Sequence, residues 1–316
     1  MGCILITGAD GQVGTELTRL LAAETEVIGL NRQACDLSDS GRLSSLIKTY
    51  SPSAIINAAA YTAVDRAETE PDLAHAINGR ATGILATVAR ELAIPAIHIS
   101  TDYVFDGCNF KPYLEDDLTA PTSVYGRTKR EGEVEIERLG GKYLNLRTAW
   151  VYGSYGKGNF VKTMLRLGAT HEEVRVVSDQ IGTPTWAKTI AQTIGQLLPK
   201  LTHGELESGT YHLTNSGVAS WYDFAVAIFD EARALGFPLA VKTVIPITSA
   251  EYPTPATRPH YSVLSNQKLD RVLGSSRPHW RHDLVKMLHE FKDLTVGVGG
   301  ASASAEAEPL ANRSPD

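Results

Sequence analysis

The feature that most constrains this chain is a glycine-rich turn between a short apolar strand and a helix. Gly2–Thr7 predicts a buried strand, Gly8–Gly14 has the spacing GxxGxxG, and Gln12–Ala23 has apolar residues at helical spacing. A helix N-terminus offers unpaired N–H groups and a partial positive charge, which suits a diphosphate. Glycine lets the backbone turn tightly and approach that ligand. The context predicts a dinucleotide cradle, and a tight turn that binds nothing is the alternative.

Strands alternate with helices over the first half of the chain. Each predicted strand is apolar almost throughout, which is typical of a parallel sheet covered on both faces. The sequence therefore predicts an α/β fold with a Rossmann-like doubly wound parallel sheet. The further predicted strands are 26–30, 54–58, 96–100 and 143–148, and the further predicted helices are 42–50, 82–92 and 125–138.

After Val151 this alternation stops, and the remaining segments predict a smaller α/β substrate-binding lobe. We assign residues 1–152 to the dinucleotide-binding domain, to which the chain is expected to return at about 174–215. The lobe is assigned to 153–173 and 216–292. Residues 297–316 are rich in Gly, Ala and Ser and predict a disordered tail.

Composition excludes several classes of partner. The 316 residues carry a net charge of −6, which argues against a nucleic-acid binder, because such a protein needs a basic surface. No stretch of 18 apolar residues exists, so we expect no membrane span. The three cysteines are too dispersed for a disulfide framework or a CxxC zinc site and fit a reducing cytoplasm.

The end of the second predicted strand bears on the choice of cofactor. Simple dinucleotide domains carry Asp or Glu there to hold the ribose 2′-hydroxyl. This chain has Asn31 and Arg32 instead, so no carboxylate would repel a 2′-phosphate and Arg32 could pair with one. The sequence predicts NADPH, with NADH left open, and a solvated Arg32 is the alternative.

A tyrosine and a lysine stand four residues apart at the start of a predicted helix. Tyr125 and Lys129 therefore share one helix face. An ammonium favours the phenolate and lowers the pKa of the phenol, which makes the pair a candidate proton donor. Thr101 follows the strand that ends at Ile99, where parallel sheets bind ligands, and could bond a substrate oxygen. An exposed Tyr/Lys pair and a local turn at Thr101 are the alternatives.

These segments together resemble the extended short-chain dehydrogenase/reductases. Within them the chain is similar to the dTDP-4-dehydrorhamnose reductase family over about residues 3–291. The resemblance rests on the following segments: Gly11–Gly14, Thr62–Asp65, Ser100–Asp106, Arg147–Tyr152, Asp179–Thr185 and Thr254–Pro259.

The resemblance implies reduction of the 4-keto group of dTDP-4-dehydro-β-L-rhamnose by NAD(P)H, the last step of dTDP-L-rhamnose biosynthesis. It implies that Tyr125 gives the proton, Lys129 binds the nicotinamide ribose and lowers the Tyr125 pKa, and Thr101 bonds the substrate oxygen. The implied cofactor contacts are Gly8, Gly11, Gln12, Val13, Asn31, Arg32, Asp36, Leu37, Ala60, Tyr61, Thr62, Tyr125 and Lys129. The implied substrate contacts are Thr101, Asp102, Trp150 and Arg258.

Several alternatives stay open at this point. Trp150 could be a core residue and Arg258 a structural salt bridge. Some family members bind Mg²⁺ at a dimer contact, and Glu16 stands at a matching position, but no metal is assigned and a homodimer is left open. The rival functions are another sugar-nucleotide epimerase or dehydratase and a non-catalytic regulatory subunit.

Overall fold

Six parallel strands form the main sheet of the structure, a computed structural model that describes residues 2–298. From one edge to the other, the order is β10 (Gly209–His212), β5 (Tyr143–Thr148), β4 (Ala96–Thr101), β3 (Ala54–Asn57), β1 (Ile4–Thr7), β2 (Val27–Leu30). Every pairing in this sheet is parallel. The predicted α/β fold with a parallel sheet is confirmed.

The strand order reverses at β1, which lies between β2 and β3. In open α/β sheets such a switch point leaves a crevice beyond the carboxyl ends of the strands, where ligands bind. The glycine-rich segment 8–14 begins at this point. The topology therefore places the predicted cradle at the crevice.

Helices cover both faces of this sheet. On one face, α1 (Gln12–Leu21) and α8 (Ala187–His203) pack against the alternate strand residues that include Ile6 and Ile56. On the other face, α2 (Ser40–Thr49) and α5 (Ala81–Glu91) pack against Leu5 and Ile55, and α6 (Val124–Leu139) packs beside α5 and β4. Between β3 and α5 the chain forms the short helices α3 (Val64–Ala67) and α4 (Pro71–His75) and a π-helical turn (Ala76–Arg80).

A second hydrophobic core is built mainly from later parts of the chain. Its helices are α7 (Phe160–Thr170), α9 (Trp221–Ala234) and α11 (Trp280–Val298). Its strands form two-residue to five-residue pairs: β6 (Val151–Tyr152) with β9 (Thr185–Trp186), β7 (Glu173–Val177) with β12 (Thr243–Ile247), and β8 (Ile181–Gly182) with β11 (Ala219–Ser220). The helix α10 (Gln267–Leu273) packs against β10.

Residues 174–215, which were expected to return to the first domain, are divided between the second core and the main sheet. Glu173–Val177 pairs with Thr243–Ile247, whereas α8 and Gly209–His212 pack on or join the main sheet. The domain boundaries predicted from the sequence stay a prediction. The predicted tail lies outside the described residues from 299 onward, and α11 extends to Val298.

The predicted strands and long helices of the first half are confirmed to within a few residues. The short elements between residues 64 and 80 and the short strand pairs of the second half were not predicted. These pieces have too few residues for a hydrophobic period to be recognised.

Candidate active site

The candidate site lies at the carboxyl ends of four neighbouring parallel strands. The last residues of β1, β3, β4 and β5 are Thr7, Asn57, Thr101 and Thr148. Each is followed by a segment that carries predicted site residues. Because parallel strands end at the same edge of a sheet, segments far apart in sequence meet here.

In the glycine-rich turn, backbone atoms occupy the space that side chains would need. Gly8 has a φ of +71°, and the N–H of Gly11 donates to the Gly8 carbonyl at 3.0 Å. A Cβ on Gly14 would lie 2.0 Å from the Gly8 oxygen, and one on Gly8 would lie 2.7 Å from Ala59 Cα. In the described chain, α1 has no acidic residue in its first turn and no side-chain cap at Gly11. The helix N-terminus is thus free to receive an anion.

The loop after β6 lies against this cradle. The Asn159 amide donates to Gln12 Oε1 at 2.9 Å, and Gln12 Nε2 donates to the Val151 carbonyl at 3.3 Å. A Cβ on Gly156 would lie 2.8 Å from Gln12 Cγ. Asn159 was not among the predicted site residues, because its partner Gln12 is 147 positions away in the sequence.

The end of β2 leads into a small polar turn. Asn31 Oδ1 accepts from the N–H groups of Gln33 and Ala34 at 3.1 and 3.0 Å. The Arg32 side chain is 73% exposed and lies 4.0 Å from the Asp36 carboxylate. Hydrogen bonds from Ser38 lower the pKa of Asp36.

Leu37 differs from its neighbours in this turn. Its side chain is buried in the core beneath α2 and α5. Only its backbone is therefore available to a ligand at this position.

The segment after β3 packs against helix α6. The Tyr61 N–H donates to Asn78 Oδ1 at 2.8 Å, and Asn78 Nδ2 donates to Thr128 Oγ1 at 3.1 Å. The Tyr61 ring packs in the same small cluster as Tyr125. The structure therefore brings the segment that holds Ala60, Tyr61 and Thr62 to the N-terminal part of α6.

The predicted proton donor lies beside the predicted hydrogen-bonding threonine. Ser123 caps α6 by accepting from the Gly126 N–H at 3.1 Å, which fixes Tyr125 in the first turn. Burial raises the pKa of the Tyr125 phenol, and hydrogen bonding with the Thr101 hydroxyl acts in the opposite direction. Thr101 Oγ1 also donates to Asp102 Oδ1 at 3.0 Å.

Asp102 is a buried carboxyl group at the end of β4. Burial raises its pKa to about 6, and hydrogen bonds from Ser262 and Thr101 oppose that rise. The group therefore changes its charge close to neutral pH, directly beside the hydroxyl that faces Tyr125.

Lys129 is buried one turn along α6, with only 1% of the residue exposed. Its Nζ donates to the Ile99 carbonyl at 2.6 Å and lies 3.1 Å from His98 Nε2. Burial lowers the pKa of Lys129 to about 7, and the Glu133 carboxylate acts against that shift. The alternative of an exposed lysine does not hold for this residue.

Arg258 lies at the site through an ion pair. Its Nη2 donates to Asp65 Oδ2 at 2.7 Å, and Asp65 Oδ1 accepts from the Ala256 N–H at 3.1 Å. Burial raises the pKa of Tyr103 to about 12, while the neighbouring Arg258 lowers it. Tyr103 and Tyr125 meet edge to face at 5.4 Å between ring centroids.

The salt-bridge alternative for Arg258 is thus observed, and it holds the guanidinium next to the tyrosine pair. Asp65 and Tyr103 were not among the predicted site residues. Both lie in the segments that carried the family resemblance, Thr62–Asp65 and Ser100–Asp106, which was the available signal.

Trp150 stands two residues after the end of β5 and has a strained backbone. Its φ is +47°, unusual for a large side chain. The indole stacks on Trp221 at 3.6 Å between centroids and 5° between planes, and a Cβ on Gly182 would collide with it. Trp150 is therefore partly buried, and its side chain connects the second core with the edge of the crevice.

Glu16 lies away from the tyrosine, on α1. It is buried, and burial raises the pKa of its carboxyl to about 7, with the Glu290 carboxylate adding to the rise and Lys188 opposing it. The Lys188 ammonium contacts Glu290 Oε1 at 2.8 Å. Among residues 2–298, no group of three or more His, Cys, Asp or Glu side chains is arranged to hold a metal ion.

The fold and the site define a class. A glycine cradle at the switch point of a parallel sheet, with a Tyr-x3-Lys pair on the adjoining helix, is the arrangement of a short-chain dehydrogenase/reductase. The family model described as the RmlD substrate binding domain matches residues 1–293.

Relatives narrow this class further. A dTDP-4-dehydrorhamnose reductase of Burkholderia thailandensis is 44% identical over 285 residues, which are 88% of this chain and 95% of that protein. A crystal structure of the Clostridium acetobutylicum dTDP-4-dehydrorhamnose reductase has a TM-score of 0.85 and 40% identity, covering 92% and 99% of the two chains. The Bacillus anthracis enzyme, solved in complex with NADP, has a TM-score of 0.85 and 36% identity, covering 92% and 100%. The chain belongs to the dTDP-4-dehydrorhamnose reductase family.

Among the described residues, no helix is both long and apolar enough to cross a bilayer.

Proposed function

We propose that the protein reduces the 4-keto group of dTDP-4-dehydro-β-L-rhamnose to give dTDP-β-L-rhamnose, the last step of dTDP-L-rhamnose biosynthesis. The observation that carries the proposal is one cluster: the Tyr125 phenol meets the Thr101 hydroxyl at the crevice, with Lys129 buried one turn away. Relatives that bear this enzyme's name are matched over nearly their whole length, which supports the proposal.

The cradle fits a dinucleotide. A Cβ at Gly8 or Gly14 would strike backbone, and the first turn of α1 carries no competing carboxylate. Residues of the cradle and of the β2 end would hold the cofactor: Gly8, Gly11, Gln12, Val13, Asn31, Arg32, Asp36, Leu37. When bound, NADPH supplies the hydride.

The choice of NADPH over NADH rests on the end of β2. Asn31 and the mostly exposed Arg32 stand where simple dinucleotide domains carry a carboxylate at the end of β2. The nearby Asp36 lies 4.0 Å from Arg32 through Oδ2 and accepts from Ser38 through Oδ1. NADP in the Bacillus anthracis relative agrees with this choice.

Proton delivery is assigned to Tyr125. Its hydroxyl would give a proton to the C4 oxygen as negative charge develops there. Thr101 would bond the same oxygen and orient the phenol, and Lys129 would bond the nicotinamide ribose. Burial of Tyr125 in this cluster keeps the phenol protonated until that oxygen needs the proton.

Substrate binding is assigned to residues around the tyrosine pair. Asp102 would accept from a sugar hydroxyl, and Trp150 would give the sugar an apolar face. Arg258, already held by Asp65, would pair with the substrate diphosphate. Ala60, Tyr61 and Thr62 would line the nicotinamide half of the crevice.

One experiment tests the activity. NADPH absorbance is followed with dTDP-4-dehydrorhamnose as substrate, with and without EDTA, and the product is identified by mass spectrometry and NMR. Stoichiometric loss of NADPH with formation of dTDP-rhamnose is expected. An epimerase would return isomers with no net loss of NADPH, and a regulatory subunit would show no turnover; either result would refute the proposal.

We infer further that the enzyme works in the cytoplasm, in keeping with its three free cysteines. We also expect the enzyme to form a homodimer whose contact involves the surface around Glu16. Sedimentation velocity with and without Mg²⁺ tests it.

A further inference from the structure

Two acidic side chains and one lysine from three helices meet away from the Tyr125 cluster. Glu16 lies on α1, Glu290 on α11 and Lys188 in the first turn of α8. Glu16 is only 4% exposed, and the charges of Glu290 and Lys188 both act on its carboxyl group. Buried charges in proteins are paired with opposite charges or coordinate metal ions. The cation that serves these two carboxylates can therefore be identified from their contacts.

Both carboxylate oxygens of Glu290 are already bonded. Oε1 accepts from the Lys188 ammonium at 2.8 Å, and Oε2 accepts from the Ser154 hydroxyl at 2.7 Å. The Lys188 Nζ also lies over the Trp186 ring, 5.2 Å from its centroid, which is within the range of a cation–π contact. These contacts hold the ammonium in one place beside the carboxylate.

Lys188 stays positively charged in these surroundings. Burial acts to lower the pKa of Lys188, but the hydrogen bond to Glu290 and the nearby Glu16 carboxyl raise that pKa above its ordinary value. Lys188 therefore brings a permanent positive charge to the two acidic side chains at neutral pH.

Glu16 supplies the one carboxylate oxygen that is left over. Its buried Oε1 has no hydrogen-bond partner within the part of the chain that the structure describes. The positive charges that act on this carboxyl group belong to Lys188 and to Arg19, whose guanidinium lies over the Tyr155 ring. The surroundings of this oxygen are thus already cationic.

This donor set does not fit Mg²⁺, which the family resemblance raised for the surface near Glu16. Mg²⁺ requires a near-octahedral set of oxygen ligands, and an ammonium beside the site repels it. Both oxygens of Glu290 are used by Lys188 and Ser154, and residues 2–298 hold no group of three acidic, His or Cys side chains that could bind a metal ion. The N-terminus of α8 adds further positive charge.

We propose that the Lys188 ammonium is the resident cation of Glu16 and Glu290 and that it keeps divalent metal ions off this surface. A homodimer contact at this surface would then form without Mg²⁺. Replacing the ammonium by a carboxylate would leave acidic side chains on all three helices, which is a donor set for a divalent cation. This inference goes beyond the proposed reaction and does not depend on it, because metal binding and melting are measured without substrate.

The first test measures Mn²⁺ binding, with Mn²⁺ as a paramagnetic probe for an Mg²⁺ site. The free ion is counted by electron paramagnetic resonance in titrations of the wild type and of Glu16→Gln. We expect the same amount of free Mn²⁺ with both proteins. Binding to the wild type that Glu16→Gln abolishes would overturn the proposal, and so would a wild-type dimer that forms with Mg²⁺ and dissociates in EDTA.

The second test converts the ion pair into a metal site with Lys188→Glu. In EDTA this variant should melt below the wild type, because three carboxylates repel one another. About 10 mM Mg²⁺ should raise its Tm by about 2–4 °C, the shift expected when an ion is present at roughly ten times its Kd. The wild type should melt at the same temperature in both buffers.

Lys200→Glu is the matched control, because it makes the same change of charge in the last turn of α8. Its Tm should not respond to Mg²⁺. A Tm of Lys188→Glu that is equally unresponsive would overturn the proposal, since the ammonium would then not be what excludes the ion.

A second variant keeps the test decisive if Lys188→Glu does not fold. Lys188→Gln removes the repelling charge and offers an amide oxygen, so it should bind Mn²⁺ more tightly than the wild type does. Equal binding by the two proteins would contradict the proposal. If the wild type turns over no substrate, the proposed function fails, while these measurements still decide what Lys188 does.

Discussion

The cradle at the start of α1 and the cluster around Tyr125 serve the same crevice but are built from different materials. The cradle is made of backbone, and its glycines are required because an added Cβ would strike a carbonyl or a Cα atom. The cluster is made of side chains from β4 and α6, and burial moves the pKa values of Tyr125, Asp102 and Lys129. From this difference we expect that added atoms disrupt cofactor binding at the cradle. Removing a charge or a transferable proton should instead disrupt catalysis at the cluster.

The largest effect is expected in the side-chain cluster. Tyr125→Phe removes the proposed proton donor and keeps the ring that packs against Tyr103 and the small cluster around Val124. We expect kcat to fall by about 10² to 10⁴, the usual range for loss of a general acid, with little change in NADPH affinity. Steady-state kinetics and an NADPH fluorescence titration measure the two quantities.

Tyr143→Phe is the matched control for this variant, since Tyr143 begins β5 at the opposite end of that strand. Wild-type turnover in Tyr125→Phe would remove the tyrosine from the mechanism.

The cradle should respond to a single methyl group. Gly14→Ala places a Cβ 2.0 Å from the Gly8 oxygen, so the strand–helix packing must shift. We expect the Kd for NADPH to rise by at least about tenfold and the free energy of unfolding to fall by about 1–3 kcal/mol, as for overpacked sites. Fluorescence titration and urea denaturation measure these changes.

The control is Gly41→Ala on α2, where the nearest atom would be an Asp39 oxygen at 3.6 Å. That change should leave NADPH binding intact and slightly favour the helix. Equal behaviour of the two variants would mean that the cradle tolerates a side chain.

Arg32 tests whether a charged side chain also matters on the cofactor side of the crevice, because it would place a positive charge beside the bound cofactor. Arg32→Gln should lower kcat/KM for NADPH by about tenfold, the loss of roughly one charge-assisted contact at an exposed position. Its kcat/KM for NADH should be nearly unchanged. The kinetics of both cofactors are compared with those of Arg42→Gln, an exposed arginine on α2.

A higher kcat/KM for NADH than for NADPH in the wild type would contradict the role of Arg32. So would an equal loss with both cofactors.

The smallest effect on catalysis is expected for a substitution at Glu16. The raised pKa of this carboxyl group affects the free energy of unfolding instead. Its pKa is about 7 in the folded protein against an ordinary value of 4.5, so the folded state binds the extra proton between these values. The contribution of Glu16 to the free energy of unfolding is fully present below about pH 4.5 and is lost as the pH rises through 7.

Glu16→Gln should therefore raise the free energy of unfolding at pH 8 by about 1–3 kcal/mol and change it little at pH 4.5. Urea denaturation at both pH values, with the exposed Glu24→Gln as control, gives the measurement. A stabilisation of equal size at both pH values would show that titration is not its cause.

Local sequence predicted the cradle better than the cluster. The motif 8–14, the strand before it and the helix after it are contiguous, so hydrophobic spacing and glycine positions together described the turn. The side-chain cluster was predicted in part, through Tyr125 and Lys129 on one helix and Thr101 at a strand end. Its other partners, Asp65 for Arg258 and Trp221 for Trp150, are 193 and 71 positions away and could not be paired by spacing.

His98 shows the same limit more sharply. Within the predicted strand 96–100 it stands among mostly apolar residues, and nothing local indicates its partners. Its contact with Lys129 arises because β4 and α6 pack together, and its contact with Asn57 arises from the register of β3 and β4.

The sequence by itself determined the alternation of strands and helices, the glycine turn, the Tyr-x3-Lys pair on one helix face and the family. Each of these depends on residues that are neighbours in the chain, where spacing fixes geometry. Only the tertiary structure decided which groups distant in the sequence meet: Lys129 with His98, Arg258 with Asp65, and Gln12 with Asn159. Those contacts follow from sheet register and helix packing, and burial then sets the protonation states on which the chemistry depends.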